Sequence, residues 1–226
     1  MKKWSQLPED FQNEEVKRYY DILQKHNADL IIKRIFDIII ASILLVALSP
    51  VLLLISILIK IDSKGPVMFC QTRVTMYGDR FRIYKFRTMI DEAEKLGTQV
   101  TTKGDIRITK MGKILRGYRL DELPQLFNIL KGDMTFVGTR PEVEKYVAHY
   151  TNEMKATLLM RAGVTSRTSI EYKDEDRLLE EADNADEVYV NQVLPAKMKY
   201  NLEAIEKFSL IEDIKTMFAT VLAVIK

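Results

Sequence analysis

The residues best equipped for chemistry crowd into one stretch, Asp105 to Pro141. Arg107, Lys110, Lys113, Arg116 and Arg119 recur at every third position, and the adjacent carboxylates Asp121 and Glu122 follow at once. Cations at that density are natural ligands for phosphate. Two neighbouring acids repel each other, so an ionised pair needs positive charge close by, from arginines or from a metal. In the functional account one carboxylate attacks a phosphorus atom while the other holds a divalent ion. The hard oxygen ligands suit Mg²⁺. In the structural account Asp121 caps a helix, Glu122 and Pro124 fill its first turn, and the basic residues are a solvated face. Spacing alone leaves both accounts open.

Composition removes several other chemistries. Cys70 is the only cysteine, so no intrachain disulfide forms and cysteine-rich zinc sites are excluded, which fits a reducing compartment. Two histidines, His26 and His149, are too few for most histidine-metal sites, and no serine, histidine and acid grouping stands out. Catalysis therefore falls to carboxylates. The formal charge is +2, but residues 60–119 hold 14 basic and 6 acidic side chains against 13 and 19 in 120–226. A basic block of this kind suits nucleic acid, anionic lipid headgroups or phosphorylated small substrates. Nucleic acid is the poorest fit, because no stacking platform of interleaved aromatics is evident; Phe81, Tyr84 and Phe86 read as strand packing.

The elements that must carry these residues begin with a membrane signal. Ile38 to Ile59 is a run of 22 residues without a charge, about 33 Å long as a helix and so enough to cross a bilayer core. It starts late and no small-residue cleavage site follows, so it is expected to stay in the mature protein. Lys33 and Arg34 precede it and Lys60 and Lys64 follow it, which places both flanks on the cytoplasmic side. Pro50 near its middle frees the Val46 carbonyl and bends the helix, and the Ser49 hydroxyl is placed to satisfy part of that loss. A helix that enters, turns at Ser49-Pro50 and returns to the same face meets both observations; a kinked transmembrane helix is the rival.

Around this run, residues 1–34 read as a soluble or surface-lying helical extension with scattered apolar positions such as Trp4, Phe11, Val16, Tyr19 and Leu23. Val67 to Gln71 and Arg80 to Phe86 are β-prone, with turn signals at Gly65-Pro66 and Gly78-Asp79, and the pattern becomes helical from Asp121. Leu210, Ile211, Ile214, Met217, Phe218, Val221, Leu222 and Ile225 recur at helical spacing, a core-packing or interfacial face. The 226 residues allow a sizeable core in an α+β, mainly helical fold. Three parts are expected: an extension over 1–32, the membrane helix over 33–62, and a catalytic domain over 63–226. No Gly-rich P-loop or Rossmann fingerprint appears.

Five ordered blocks resemble the bacterial sugar transferase family, the monotopic phosphoglycosyl transferases. They are KRIFDIIIASILLVALSP at 33–50, DSKGPVMFCQTR at 62–73, FRIYKFRTM at 81–89, RLDELPQLFNILKGDMTFVGTRP at 119–141 and SLIEDIKTMF at 209–218. The resemblance implies a reentrant helix hairpin broken at Ser49-Pro50 and a catalytic domain on the cytoplasmic face of a bacterial inner membrane. It implies transfer of a sugar phosphate from a nucleoside diphosphate sugar, a UDP-sugar first, to undecaprenyl phosphate, starting a surface glycan with Mg²⁺ as cofactor. Asp121 would be the nucleophile and Glu122 would assist metal and phosphate positioning, so that both contact the metal. Arg140 would bind phosphate or donor, with Arg116, Lys85 and Arg87 as further phosphate ligands, although an exposed strand face also accounts for Lys85 and Arg87. The implied partners are donor, acceptor and membrane lipids, not nucleic acid; the oligomeric state stays open, a homo-oligomer included.

Two departures qualify the match. Thr139 stands where the family has proline, so the turn presenting Arg140 is expected to be less rigid. Arg161-Ala162-Gly163-Val164-Thr165-Ser166 replaces the usual Arg-Pro-Gly-Ile-Thr-Gly and leads into the acidic run at 171–176, which reads as a solvated loop. The sugar is therefore not inferred from well-known members. A non-catalytic membrane adaptor, holding lipid with its basic block and a protein with its acidic half, is the rival function; it predicts no dependence on Asp121.

Overall fold

The computed structural model describes residues 1–93, 105–171, 178–179, 182 and 184–225. Helix α1 (Glu14–Lys25) is followed by α2 (Asn27–Asp62), the 36-residue element that contains the apolar run. Its most apolar window is only 11% buried. The expected break into two helices is not seen: α2 is one element with Pro50 inside it. Proline withholds the N–H that would reach Val46, and the Ser49 hydroxyl donates to that carbonyl instead, at 2.8 Å. The helix can therefore run on without an orphaned acceptor.

Both ends of α2 dock on the same body. Toward its start, Ala41 packs with Phe81, Leu126, Ile129 and Met134, and Leu44 and Leu45 lean on that cluster. Toward its end, Leu52, Ile55 and Ile59 pack with Phe86 and Leu115. Residues 46–51 between them belong to neither cluster and span roughly 9 Å. Charged side chains fasten the base. Lys33 Nζ donates to Asp213 at 2.6 Å, Arg34 donates to the Ile129 and Leu130 carbonyls, and buried Asp37 accepts from the Thr135 hydroxyl at 2.5 Å and from the Phe136 N–H. At the other end Asp62 accepts the Met111 N–H at 3.0 Å.

The β-prone runs form the expected hairpin, β1 (Met68–Val74) and β2 (Arg80–Phe86), antiparallel with Met68 opposite Phe86 and Val74 opposite Arg80. Its turn needs left-handed backbone at Tyr77 and Gly78, and Gly78 supplies the second without Cβ strain. Then come α3 (Lys110–Gly117), α4 (Gln125–Lys131) and β3 (Met134–Val137), which pairs in parallel with β4 (Ala162–Thr165). Two long helices close the chain, α5 (Leu194–Glu206) and α6 (Leu210–Ile225).

Residues 1–32, expected as a helical extension, pack onto this body. Val16, Tyr19, Tyr20 and Leu23 recur on one face of α1 and are buried, together with Leu7 and Phe11, against Ala156, Leu159, Leu194 and Met198. Helix α6 is divided lengthwise: Met217 packs toward β3, while Ile211, Phe218 and Leu222 are exposed.

Candidate active site

The two carboxylates sit on a short turn between helices, not at a helix cap. Arg119 adopts a left-handed conformation that ends the run from α3, and Leu120–Glu122 form one turn of 3-10 helix before α4. Leu120 and Leu123 point inward, onto Ile55, Ile59 and Leu115. No side chain caps α4, so the capping account of Asp121 fails. The turn is pinned to β2 through Asn128 of α4, fully buried, whose side chain accepts the Tyr84 N–H at 2.9 Å and donates to the Arg82 carbonyl at 2.8 Å. That contact sets Lys85, the next residue of β2, against Glu122.

A cleft of about 680 Å³ opens over the turn, lined by Asp121, Glu122, Lys85, Arg116 and Arg140. Five of the expected site residues, Lys85 and Arg140 expected from the family resemblance alone, thus meet in one place. Seven Lys or Arg and four Asp or Glu line it, an excess of three positive charges that favours polyanionic ligands. Of the five spaced cations before the turn, Arg107, Arg116 and Arg119 line the cleft.

The adjacent acids are held in different states. Glu122 accepts from Lys85 Nζ at 2.9 Å and from both terminal nitrogens of Arg140. Burial alone would raise its carboxyl, but Arg140 and Lys85 prevail and hold it well below the ordinary carboxylate range. Asp121 accepts no hydrogen bond from another side chain among the described residues. Burial and the neighbouring Glu122 charge push its carboxyl upward, opposed by Lys85 and Arg116. One acid is a fixed anion neutralised by its neighbours; the other faces the cleft with no side-chain donor upon it among the described residues. Lys85 is therefore no plain strand-face lysine.

Arg87 departs from expectation. It is buried, and its guanidinium donates to the Ser63 carbonyl at 2.8 Å and to the Lys64 carbonyl. It clamps the exit of α2 to the cleft wall, and these bonds occupy the face expected to take phosphate. Arg116 donates to the Thr88 hydroxyl at 2.9 Å, which orients it along the wall. Ser49 and Pro50 lie in the exposed middle of α2, away from the cleft.

Arg73 escaped the reading of individual residues. From β1 it donates to Gln71 and, at 3.2 Å, to the carbonyl of Pro141, so it supports the segment that presents Arg140. Its only sequence signal was membership of the block at 62–73. The turn at Thr139, expected to loosen without proline, is held by backbone: Gly138 N–H donates to Thr165 and Gly163 N–H to Thr139, at 3.0 and 2.8 Å. A Cβ on Gly163 would lie 2.3 Å from Gly138, so this approach requires glycine. The acidic run from residue 172 onward lies outside the described residues.

For Mg²⁺ the fit is that of a substrate-assisted site. Among the described residues no three Asp, Glu, His or Cys side chains converge to hold an ion. Asp121 offers one hard donor, and the Glu122 oxygens are taken by Lys85 and Arg140, so the site suits an ion that keeps waters and takes most of its ligands from phosphate, with Glu122 joining only if those cations shift.

Residues 28–226 match the family model described as bacterial sugar transferase. The chain is 36% identical over 193 residues to the UDP-N-acetylgalactosamine-undecaprenyl-phosphate N-acetylgalactosaminephosphotransferase of Aeromonas hydrophila, covering 84% of this chain and 43% of that protein. It is 36% identical over 197 residues to the UDP-glucose:undecaprenyl-phosphate glucose-1-phosphate transferase of Klebsiella pneumoniae, covering 85% and 40%. The undecaprenyl-phosphate glucose phosphotransferase of Komagataeibacter xylinus is 32% identical over 208 residues, covering 85% and 36%. The chain thus spans less than half the length of these relatives. It belongs to the bacterial sugar transferase family.

Proposed function

We propose that this member of the bacterial sugar transferase family moves a sugar-1-phosphate from a UDP-sugar to undecaprenyl phosphate through a covalent intermediate on Asp121. The observation that carries the reading is the division of labour in the carboxylate pair: Glu122 is saturated by Lys85 and Arg140 while Asp121 is open to the cleft. An Asp121 oxygen attacks the phosphorus that bears the sugar. The bond to the nucleoside monophosphate breaks, that group leaves with the electron pair, and the sugar phosphate is held as an acyl phosphate. An oxygen of undecaprenyl phosphate then attacks the same phosphorus, forming undecaprenyl diphosphate sugar and returning the Asp121 carboxylate. Arg116 and Arg140 neutralise the phosphate oxygens during both displacements. Mg²⁺ held at Asp121, with Glu122 joining once its cations turn to the substrate phosphates, would supply further neutralisation of the diphosphate. Burial and the neighbouring Glu122 charge raise the Asp121 carboxyl, which makes its carboxylate a stronger base and nucleophile than that of an ordinary aspartate.

A monotopic arrangement at the cytoplasmic face of the inner membrane goes with this reading, as the first step of a surface glycan. Its support is mechanical. A spanning helix must put about 30 Å of hydrocarbon between its ends, whereas both ends of α2 pack on one body and only residues 46–51 lie between the contacts. The bare faces of α2 and α6 would then lie in lipid, α6 along the interface.

The test uses donor alone. Incubation of the purified protein with radiolabelled UDP-sugars should release up to one equivalent of UMP per active site and leave sugar phosphate on the protein, labile to hydroxylamine. Release of UMP only after undecaprenyl phosphate is added, with no labelled protein, would overturn the covalent step. No UMP release and no transfer from any UDP-sugar of a panel, by wild type and Asp121→Asn alike, would point to the adaptor instead.

A further inference from the structure

We propose that a groove at the base of α2, separate from the catalytic cleft, binds the headgroup of an anionic phospholipid, its phosphate between the guanidiniums of Arg34 and Arg161 and its chains along Ile31 and Ile35. The groove has a volume of about 480 Å³ and shares no lining residue with the cleft. Its two arginines come from different elements and converge on the C-terminal end of α4. Arg34 donates to the Ile129 and Leu130 carbonyls, and Arg161 Nε donates to the Gly132 carbonyl at 2.9 Å. A Cβ on Gly132 would lie 3.4 Å from Arg34 Nη2, so both guanidiniums gather round this one residue.

Each arginine is thereby oriented by backbone, and the terminal nitrogens of Arg161 form no hydrogen bond among the described residues. The nearby acids are committed: Asp37 to Thr135 and Phe136, Asp133 to Asn128. Lys2, at 4.6 Å over the Tyr77 ring, adds a third cation to the rim. A phosphate oxygen is the complementary acceptor for the terminal N–H groups of Arg161, and the Arg34 guanidinium, itself bonded to carbonyls, adds its charge from the other side. What distinguishes a lipid from a free phosphate is the other wall. Ile31 and Ile35 are 56% and 53% exposed and continue directly into the bare face of α2, so an amphipathic ligand meets cations at one end and hydrocarbon at the other. The proposal rests on the reading that α2 lies in the membrane.

The experiment is lipid retention by the full chain, reconstituted in bilayers of phosphatidylcholine with a minority of phosphatidylglycerol and then extracted mildly. Wild type should retain phosphatidylglycerol several-fold above its share of the bilayer, near one per chain. Arg161→Gln should lose most of that enrichment, Arg161→Lys should keep much of it, and Lys207→Gln, outside the groove, should change nothing. Should Arg161→Gln fold poorly, Lys2→Gln should still lower retention two- to three-fold, because only the rim charge is removed. Millimolar inorganic phosphate should not displace the lipid. No enrichment in wild type, equal enrichment in Arg161→Gln or in folded Lys2→Gln, or complete displacement by inorganic phosphate would overturn the proposal. Failure to enter pure phosphatidylcholine bilayers would instead sink the membrane reading beneath it.

Discussion

At the base of α2, Lys33, Arg34 and Asp37 enter a largely apolar contact, and the contacts of each fasten helix to domain: an ion pair with Asp213, two helix-end carbonyls, a hydroxyl and an amide. In the cleft the pattern is deliberately incomplete. Glu122 is as fully engaged as Asp37, yet Asp121 beside it is not, and Arg119 at the rim has no ion pair among the described residues. Desolvating a charge is costly in both places. Where every partner is supplied, the result is a joint; where one group is left short, burial raises its free energy and makes it reactive.

The largest expected effect tests the short side of that contrast. Asp121→Asn should fold and bind membrane yet lose on the order of 10⁴-fold or more in turnover, the scale of removing a covalent nucleophile. Near-normal turnover in a folded Asn variant would end the distinction. Chelation comes next: excess chelator should abolish sugar-phosphate transfer and added Mg²⁺ restore it, while full turnover in verified metal-free buffer would remove the ion from the site.

On the joint side, Asp37→Ala should leave the Thr135 hydroxyl and the Phe136 amide unsatisfied in the core and cost about 1–3 kcal/mol of stability, read as a lower melting temperature in detergent. An unchanged melting temperature would mean that Asp37 is not a fastening. The subtlest test is pH, because the adjacent acids should respond with opposite sign. Asp121 has a raised carboxyl, so its stabilising contribution is present below the unfolded aspartate value and lost as pH rises through its folded value. Glu122 has a lowered one, so its contribution is present above the unfolded glutamate value and lost as pH falls toward its folded value. Asp121→Asn should accordingly be slightly more stable than wild type at neutral pH and lose that advantage in acid, whereas Glu122→Gln should be less stable at neutral pH and converge in acid. Matching pH profiles for the two variants would show that the pair titrates as a unit.

Local pattern made much of this visible in advance. The β1–β2 hairpin announces itself through β-prone runs and a Gly-Asp turn, and the meeting of Asp121, Glu122, Lys85, Arg116 and Arg140 follows from ordered blocks. What stayed hidden depends on partners distant in sequence. Residues 1–32 look separable because the face of α1 is covered by α5, some 170 residues away. Arg87 reads as a phosphate ligand until the exit of α2 arrives beside it. Pro50 reads as a break although the Ser49 hydroxyl beside it is legible too, because sequence does not say whether that one bond is enough to carry the helix through.

That α2 is gripped at both ends has a consequence for the bilayer itself. A spanning helix feels the full hydrocarbon thickness and answers a mismatch by tilting or by deforming lipid. In the monotopic arrangement proposed above, a helix inserted from one side and anchored at both ends by a single domain would have its depth set by that domain's own geometry, and the cleft would ride at a fixed height over one leaflet. Activity should then be insensitive to acyl chain length in the opposite leaflet and should follow the headgroup plane, where a polyprenyl phosphate presents its reactive oxygen.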